Sequence, residues 1–439
     1  MRRKLISASM AGFCLMVCLS DGALLSAPLT RRSAQTLKEK EATKRDAFNN
    51  RIAELRALYE AHQWFKLRDA VQATDAPVFY RGAVAAAFND IKQAEKSLQA
   101  VINSAPQAGL VSEARELLIN TYMRAGLYRQ SLSETEQARV LKPNDNGLKN
   151  ARILFSTFSQ YPEQTVSARR FSELRYAMKE GNLFIPVKVN GKQASYIVDT
   201  GANFSLISET EAKRLGLNIS ERSGARIGDS SGLDLDFRVA VADRLTVGRM
   251  RLRHVPFFVM RDDQQPFVDL PAGERGIIGL PVLLAFQTVR WNREGKFEIG
   301  FAPRATPTRK SNLCFEGLQP IVEAEFRQSK INIFLDTGAT HTRALPLFAR
   351  EFAAFVNEAG KKGSQRVTGV GGSVDVETIR LPELRLRING SEVALSPAEV
   401  LLRETASGLS WSHVWAGMDL LNQARVVTLD FKSMTLTLE

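Results

Sequence analysis

A five-residue motif stands twice in this chain of 439 residues: Val198-Asp199-Thr200-Gly201-Ala202 recurs as Leu335-Asp336-Thr337-Gly338-Ala339, 137 residues later. The surroundings repeat as well. Alternating apolar runs, Leu183 to Val189 and Lys192 to Val198, flank Asn190-Gly191, a dipeptide suited to a tight hairpin turn because both positions need positive φ. A second Asn-Gly stands at 389–390, after the strand-like run Leu384 to Ile388. Each motif precedes a short helical stretch, Glu209 to Leu215 and Pro346 to Ala359. A glycine-bearing segment follows in both copies: Gly228-Asp-Ser230-Ser231-Gly232, and Gly369-Val-Gly371-Gly372. Each copy then reaches an apolar cluster ending in glycine, Ile277-Ile278-Gly279 and Trp415-Ala416-Gly417, 80 and 81 residues after its aspartate. Terminal strand pairs close the copies at Thr288 to Phe301 and Val426 to Leu438.

This set of motifs resembles the retropepsin-like (clan AA) aspartic peptidases, in a bacterial tandem-lobe form. The resemblance covers Leu183 to Glu439. It implies two all-β acid-protease lobes, 182–303 and 314–439, joined by a polar linker at 304–313 and related by a pseudo-twofold axis. It also implies roles. Asp199 and Asp336 would be catalytic, and Thr200 and Thr337 would lock the two loops by mutual hydrogen bonds. Gly201 and Gly338 would let the backbone approach the carboxylates, and Gly279 and Gly417 would be structural glycines. Gly228, Ser230, Ser231, Gly232, Gly369, Gly371 and Gly372 would be flap residues over an extended polypeptide substrate. His341 and Arg343 depart from the family pattern of small or apolar residues after the motif, and both are expected to point to solvent. The Trp and Phe residues read as core.

The chemistry explains why two copies are needed. Water attacks an unactivated amide only if a base takes its proton while an acid polarises the carbonyl. Two adjacent carboxylates cannot both ionise, so they share one proton and serve as acid and base together. No metal or cofactor is required.

The other half of the chain has a different texture. Residues 36–178 are rich in Ala, Leu, Glu, Lys and Gln and are expected to be helical. Leu118, Tyr122, Gly126, Tyr128, Ala138 and Pro143 resemble a tetratricopeptide repeat, and Gly82, Ala94, Leu98 and Pro106 match more loosely. A plain helical bundle is the alternative. Such a region could recruit the substrate or a protein partner. The segment Tyr161 to Glu180 is a candidate pro-segment by position alone. At the N-terminus, Arg2-Arg3-Lys4 followed by the uncharged run Leu5 to Leu19 has the layout of a signal peptide ending near residue 27. The expected location is therefore periplasmic or secreted, with no stable membrane span after cleavage. Cys14 and Cys18 would leave with it, so Cys314 would stand alone as a small core residue.

The formal charge is +12, from 59 basic and 47 acidic residues. No basic-aromatic motif concentrates it, which argues against nucleic acid. The leading expectation is an aspartic endopeptidase whose two lobes pair within one chain. The alternatives are pairing of lobes between chains, and a catalytically inactive peptide-binding module of the same fold.

Overall fold

In a computed structural model the described residues are 31–104, 108–221, 226–228, 234–236, 238–302, 310–369, 372–403 and 409–439. The expected signal segment, most of the linker, and Ser230, Ser231, Gly232 and Gly371 lie outside them. The chain divides into a unit ending at Ala53, helical over its described part, and a compact body from Glu54 to Glu439.

Helices come first: α1 (Arg31–Glu60), α2 (Trp64–Gln72), α3 (Val78–Ala87), α4 (Ile91–Ser104), α5 (Ala108–Ala125), α6 (Tyr128–Leu141) and α7 (Asn146–Ser159). Local signals set their ends. Gly126 takes φ 75°, a left-handed value that closes α5. The Asp145 carboxylate accepts from Leu148 N at 2.9 Å and caps α7. α3 and α4 pack through small residues, and a Cβ on Gly82 would stand 2.8 Å from Leu98. Among the described residues, no helix is long and apolar enough to cross a membrane.

The helical region ends at Ser159, not near 178 as its composition suggests. Thr165–Ala168 pairs antiparallel with Met250–Met260, Ser172–Arg175 with Lys296–Ile299, and Ala177–Lys179 with Asn182–Val189. Sheet edges supply hydrogen-bond partners that outweigh the weak helical preference of this stretch. The candidate pro-segment is thus woven into the sheets.

Two β-lobes follow with matching connectivity. In the first, Lys192–Val198 lies parallel to Gly276–Ile278, with Ile197 opposite Ile277, and Ile277 opposes Leu206 antiparallel. In the second, Ser329–Leu335 lies parallel to Val414–Ala416, with Phe334 opposite Trp415, and Trp415 opposes Arg343. Among the described residues, a five-stranded sheet joins the lobes, in the order Ser172–Arg175, Lys296–Ile299, Thr288–Asn292, Val426–Asp430, Thr435–Leu438. At its seam Val289 stands opposite Leu429.

The helices share cores with both lobes. Leu55, Phe65, Leu98 and Leu118 belong to one buried cluster with Cys314, Ile321, Phe334 and Trp415 of the second lobe. Tyr128 and Phe158 stack with Phe204 and Phe258 of the first, at ring separations of 5.1 Å for Phe158–Phe204 and 4.3 Å for Phe204–Phe258. Arg124, buried, donates to the carbonyls of Gly317 and Ala86 and lies 4.6 Å from the Phe315 ring centroid. Burial pushes its pKa down to about 9. The Cys314 thiol is buried and its pKa is pushed up by the same desolvation.

Shared cores predict shared unfolding. Phe158→Ala should cost about 3–5 kcal/mol. In urea, helical ellipticity and tryptophan fluorescence should shift together to lower midpoints; loss of the helical signal alone would show that the region is independently stable.

Candidate active site

The two Asp-Thr-Gly-Ala loops meet tip to tip within one chain. Thr200 N donates to Thr337 Oγ1 and Thr337 N to Thr200 Oγ1, each at 3.0 Å. Each hydroxyl then crosses to the other lobe: Thr200 Oγ1 donates to Leu335 O and Thr337 Oγ1 to Val198 O, both at 2.8 Å. Both threonines are buried, so every one of these bonds replaces a costly unsatisfied group.

This junction brings the carboxylates face to face. Asp199 Oδ1 accepts from Gly201 N at 2.8 Å and Ala202 N at 3.0 Å, and Asp336 Oδ1 from Gly338 N at 2.9 Å and Ala339 N at 3.2 Å. Each carboxyl also rests on the other loop's glycine. A Cβ on Gly201 would lie 2.6 Å from Asp336 Oδ1, and one on Gly338 would lie 2.7 Å from Asp199 Oδ1. A side chain at either glycine would push the pair apart.

The apolar-apolar-glycine elements brace the loops from behind. Asp199 N donates to Ile278 O and Asp336 N to Ala416 O, both at 3.0 Å. Leu280 N reaches Ala202 O and Met418 N reaches Ala339 O, both at 2.8 Å. A Cβ on Gly417 would stand 2.7 Å from Ala339 O, and one on Gly279 would run into the Phe204 carbonyl. Here the glycines allow backbone contact; their φ values, −92° and −104°, are ordinary.

The two halves differ in one donor. Trp415 Nε1 donates to Asp336 Oδ2 at 2.7 Å. The residue in the same register in the first lobe is Ile277, which has no donor. Trp415 reads as core in the sequence, and it is 4% exposed. The usable signal was the mismatch itself, a ring N–H standing where the other copy has an alkyl chain.

Burial raises the pKa of both carboxylates. Asp199 is pushed well above the ordinary range by desolvation first and then by the charge of Asp336. Asp336 is raised by desolvation, with the Trp415 N–H and the backbone N–H groups pulling against it. The N–H that Trp415 donates to Asp336, with no counterpart at Asp199, favours the charge on Asp336 and the shared proton on Asp199.

Arg343 does not point to solvent, correcting the sequence expectation; His341 is exposed and bonds with Thr340 Oγ1 at 2.8 Å. Arg343 is half-buried on the strand Arg343–Ala344, because that strand lies between Val414–Ala416 and Ala398–Leu401. Its Nε donates to Gln365 Oε1 at 3.2 Å, and its guanidinium lies 5.9 Å from the Trp415 ring centroid. Gln365 belongs to the long hairpin Lys361–Gly369 and Gly372–Leu381, whose last pair is Gly369 with Gly372. In the first lobe Gly228 pairs with Asp234 in the short ribbon Arg226–Gly228 and Asp234–Asp236. The described flap candidates thus sit at hairpin ends.

A raised carboxyl pKa has a thermodynamic signature. Between pH about 4, where a free Asp ionises, and its raised folded pKa, Asp199 keeps a proton that the unfolded chain has released. Stability then falls as pH rises through that window. Asp199→Asn removes the effect, so its thermal midpoint should exceed the parent's by a few degrees at pH 7. The gain should vanish near pH 4; an equal offset at both values would mean that Asp199 is not perturbed.

The family model described as aspartyl protease matches residues 185–282. No curated protein matches the chain. A retropepsin-like aspartic protease from Rickettsia conorii is 15% identical, covering 31% of this chain and 93% of its own, with a TM-score of 0.22. The basic 7S globulin from soybean is 12% identical, covering 61% and 94%, with a TM-score of 0.36. The retroviral protease-like domain of Ddi1 from Leishmania major is 17% identical, covering 29% and 98%, with a TM-score of 0.16. The family match supports an aspartic protease fold over residues 185–282.

Proposed function

We propose that this chain is an aspartic endopeptidase that hydrolyses extended polypeptides with a water activated between Asp199 and Asp336. The observation that carries the reading is the paired carboxylates, held face to face by the Thr200–Thr337 bonds and unequal in their hydrogen bonding. In the proposed reaction Asp336, ionised, takes a proton from water as its oxygen attacks the scissile carbonyl carbon. Asp199 gives its proton to the carbonyl oxygen, forming a gem-diol. The diol collapses: Asp336 delivers its proton to the amine as the C–N bond breaks, and a diol hydroxyl returns a proton to Asp199. The cycle ends with the same charges as it began.

The second reading, a peptide-binding module without turnover, keeps the fold and loses only the proton transfers. The intact aspartates and glycines in both loops favour the enzyme. The tetratricopeptide-like character of the helices belongs to the same proposal, and so does recruitment of substrate or a partner. Phe48 of α1 and Val140 and Leu141 of α6 are exposed apolar residues on the described helices and are available for that task. Export to the periplasm or medium follows from the signal-like N-terminus and completes the proposal.

The test is cleavage of a mixed peptide library by the mature chain from pH 4 to 8, beside Asp199→Asn and Asp336→Asn. Cutting by the parent and loss of at least about 1,000-fold in both variants is the expected result, as for removing half of an acid–base pair. Binding without cutting at every pH would favour the binding module.

Trp415→Phe separates positioning from packing. It keeps a ring and removes the N–H that favours ionised Asp336. The acidic limb of the kcat/KM profile should move up by about one pH unit, because a hydrogen bond to a charged group is worth roughly 1.5–3 kcal/mol. Loss of activity with an unmoved limb would give Trp415 a packing role only.

A further inference from the structure

The residue seven positions past each aspartate has the same place in both lobes, but its chemistry differs. Leu206 stands opposite Ile277, and Arg343 stands opposite Trp415. One wall therefore carries an alkyl group where the other carries a cation.

Asp419 and Asp336 attract that cation from a distance, without an ion-pair contact. Among the described residues no carboxylate forms an ion pair with Arg343; its hydrogen bond goes to the neutral amide of Gln365 at 3.2 Å. The nearby carboxylates have other partners. Asp419 accepts from Thr342 N and Thr342 Oγ1, and Asp336 accepts from Gly338, Ala339 and Trp415. Arg343 is half-buried, and desolvation draws its pKa below the ordinary value. A partly desolvated guanidinium with no carboxylate in contact gains from one that it can bind through two N–H groups.

Its position fixes what that carboxylate would belong to. The guanidinium lies 5.9 Å from the ring of Trp415, whose Nε1 is 2.7 Å from Asp336 Oδ2. An extended peptide advances about 3.3 Å per residue, so the cation lies within about three residues of the bond over the carboxylates. Gln365 places it beneath the second-lobe hairpin. We propose that Arg343 and Gln365 form a subsite on the second-lobe wall that takes the carboxylate side chain of an Asp or Glu, within three residues of the scissile bond. The net charge of +12 favours the approach of such acidic chains. The placement rests on the peptidase reading of the cleft, whereas the binding preference needs no turnover.

The test uses peptides that differ only by Glu, Gln or Lys at each of three positions on either side of the cut bond. Cleavage is measured with the parent chain, and binding with Asp199→Asn. Glu should be preferred over Gln by about tenfold at one position, the size of a charge-assisted hydrogen bond. In Arg343→Leu, which copies the first lobe, that ratio should fall to about one, and in Arg343→Glu Lys should be preferred. Arg343→Gln replaces the leucine variant if that variant does not fold. Cutting with no acidic preference, or a preference that survives Arg343→Leu, overturns the subsite and leaves the peptidase reading standing. Tighter binding of acidic peptides without cutting upholds the subsite and removes the peptidase reading. Neither cutting nor binding overturns both.

Discussion

Thr200 and Thr337, both buried, bond to each other's backbone N–H and to carbonyls of each other's lobes. Each of these four bonds depends on the others, because breaking one leaves a buried donor or acceptor unsatisfied, a loss of about 1–3 kcal/mol per group. From this junction follow the spacing of the carboxylates, the need for Gly201 and Gly338 beneath them, and the tight approach of Gly279 and Gly417 behind them. Two carboxyl groups are held close by contacts that are themselves uncharged. The electrostatic tension is relieved by keeping one proton, not by moving apart.

The helical region takes part in the same architecture. α6 and α7 meet the first lobe through stacked rings, α5 adds Ile119 and Met123 to the same cluster, and a second cluster, reaching from α1 to α5, meets the second lobe up to Trp415. Trp415 is thus a core residue on one side and a hydrogen-bond donor to Asp336 on the other. Packing of the helices and ionisation of the carboxylates share one side chain.

Much of this was legible in the sequence, and what was not has a physical explanation. Alternation and the Asn-Gly turns marked the hairpins because those signals are local. The duplicated motif marked the junction because both copies had to keep the same buried bonds. Residues 165–179 carry weak local preferences, and their strands are decided by edges supplied from residues 182–189, 250–260 and 296–299. The direction of the Trp415 N–H depends on the ring's orientation, which an apolar run does not reveal. Arg343 defied the general rule for charged residues because its short strand runs between two others. Comparing the two copies position by position, Ile277 with Trp415 and Leu206 with Arg343, would have flagged both.

The seam of the shared sheet, where Val289 opposes Leu429, has a consequence for how the two walls can evolve. It ties both lobes into one polypeptide, so a substitution on one wall is not copied onto the other. A groove assembled from identical halves offers a threaded chain two equivalent orientations. Under the proposed function, an indole N–H and a guanidinium on one side, against two alkyl groups on the other, would lift that degeneracy and give a bound chain one N-to-C direction.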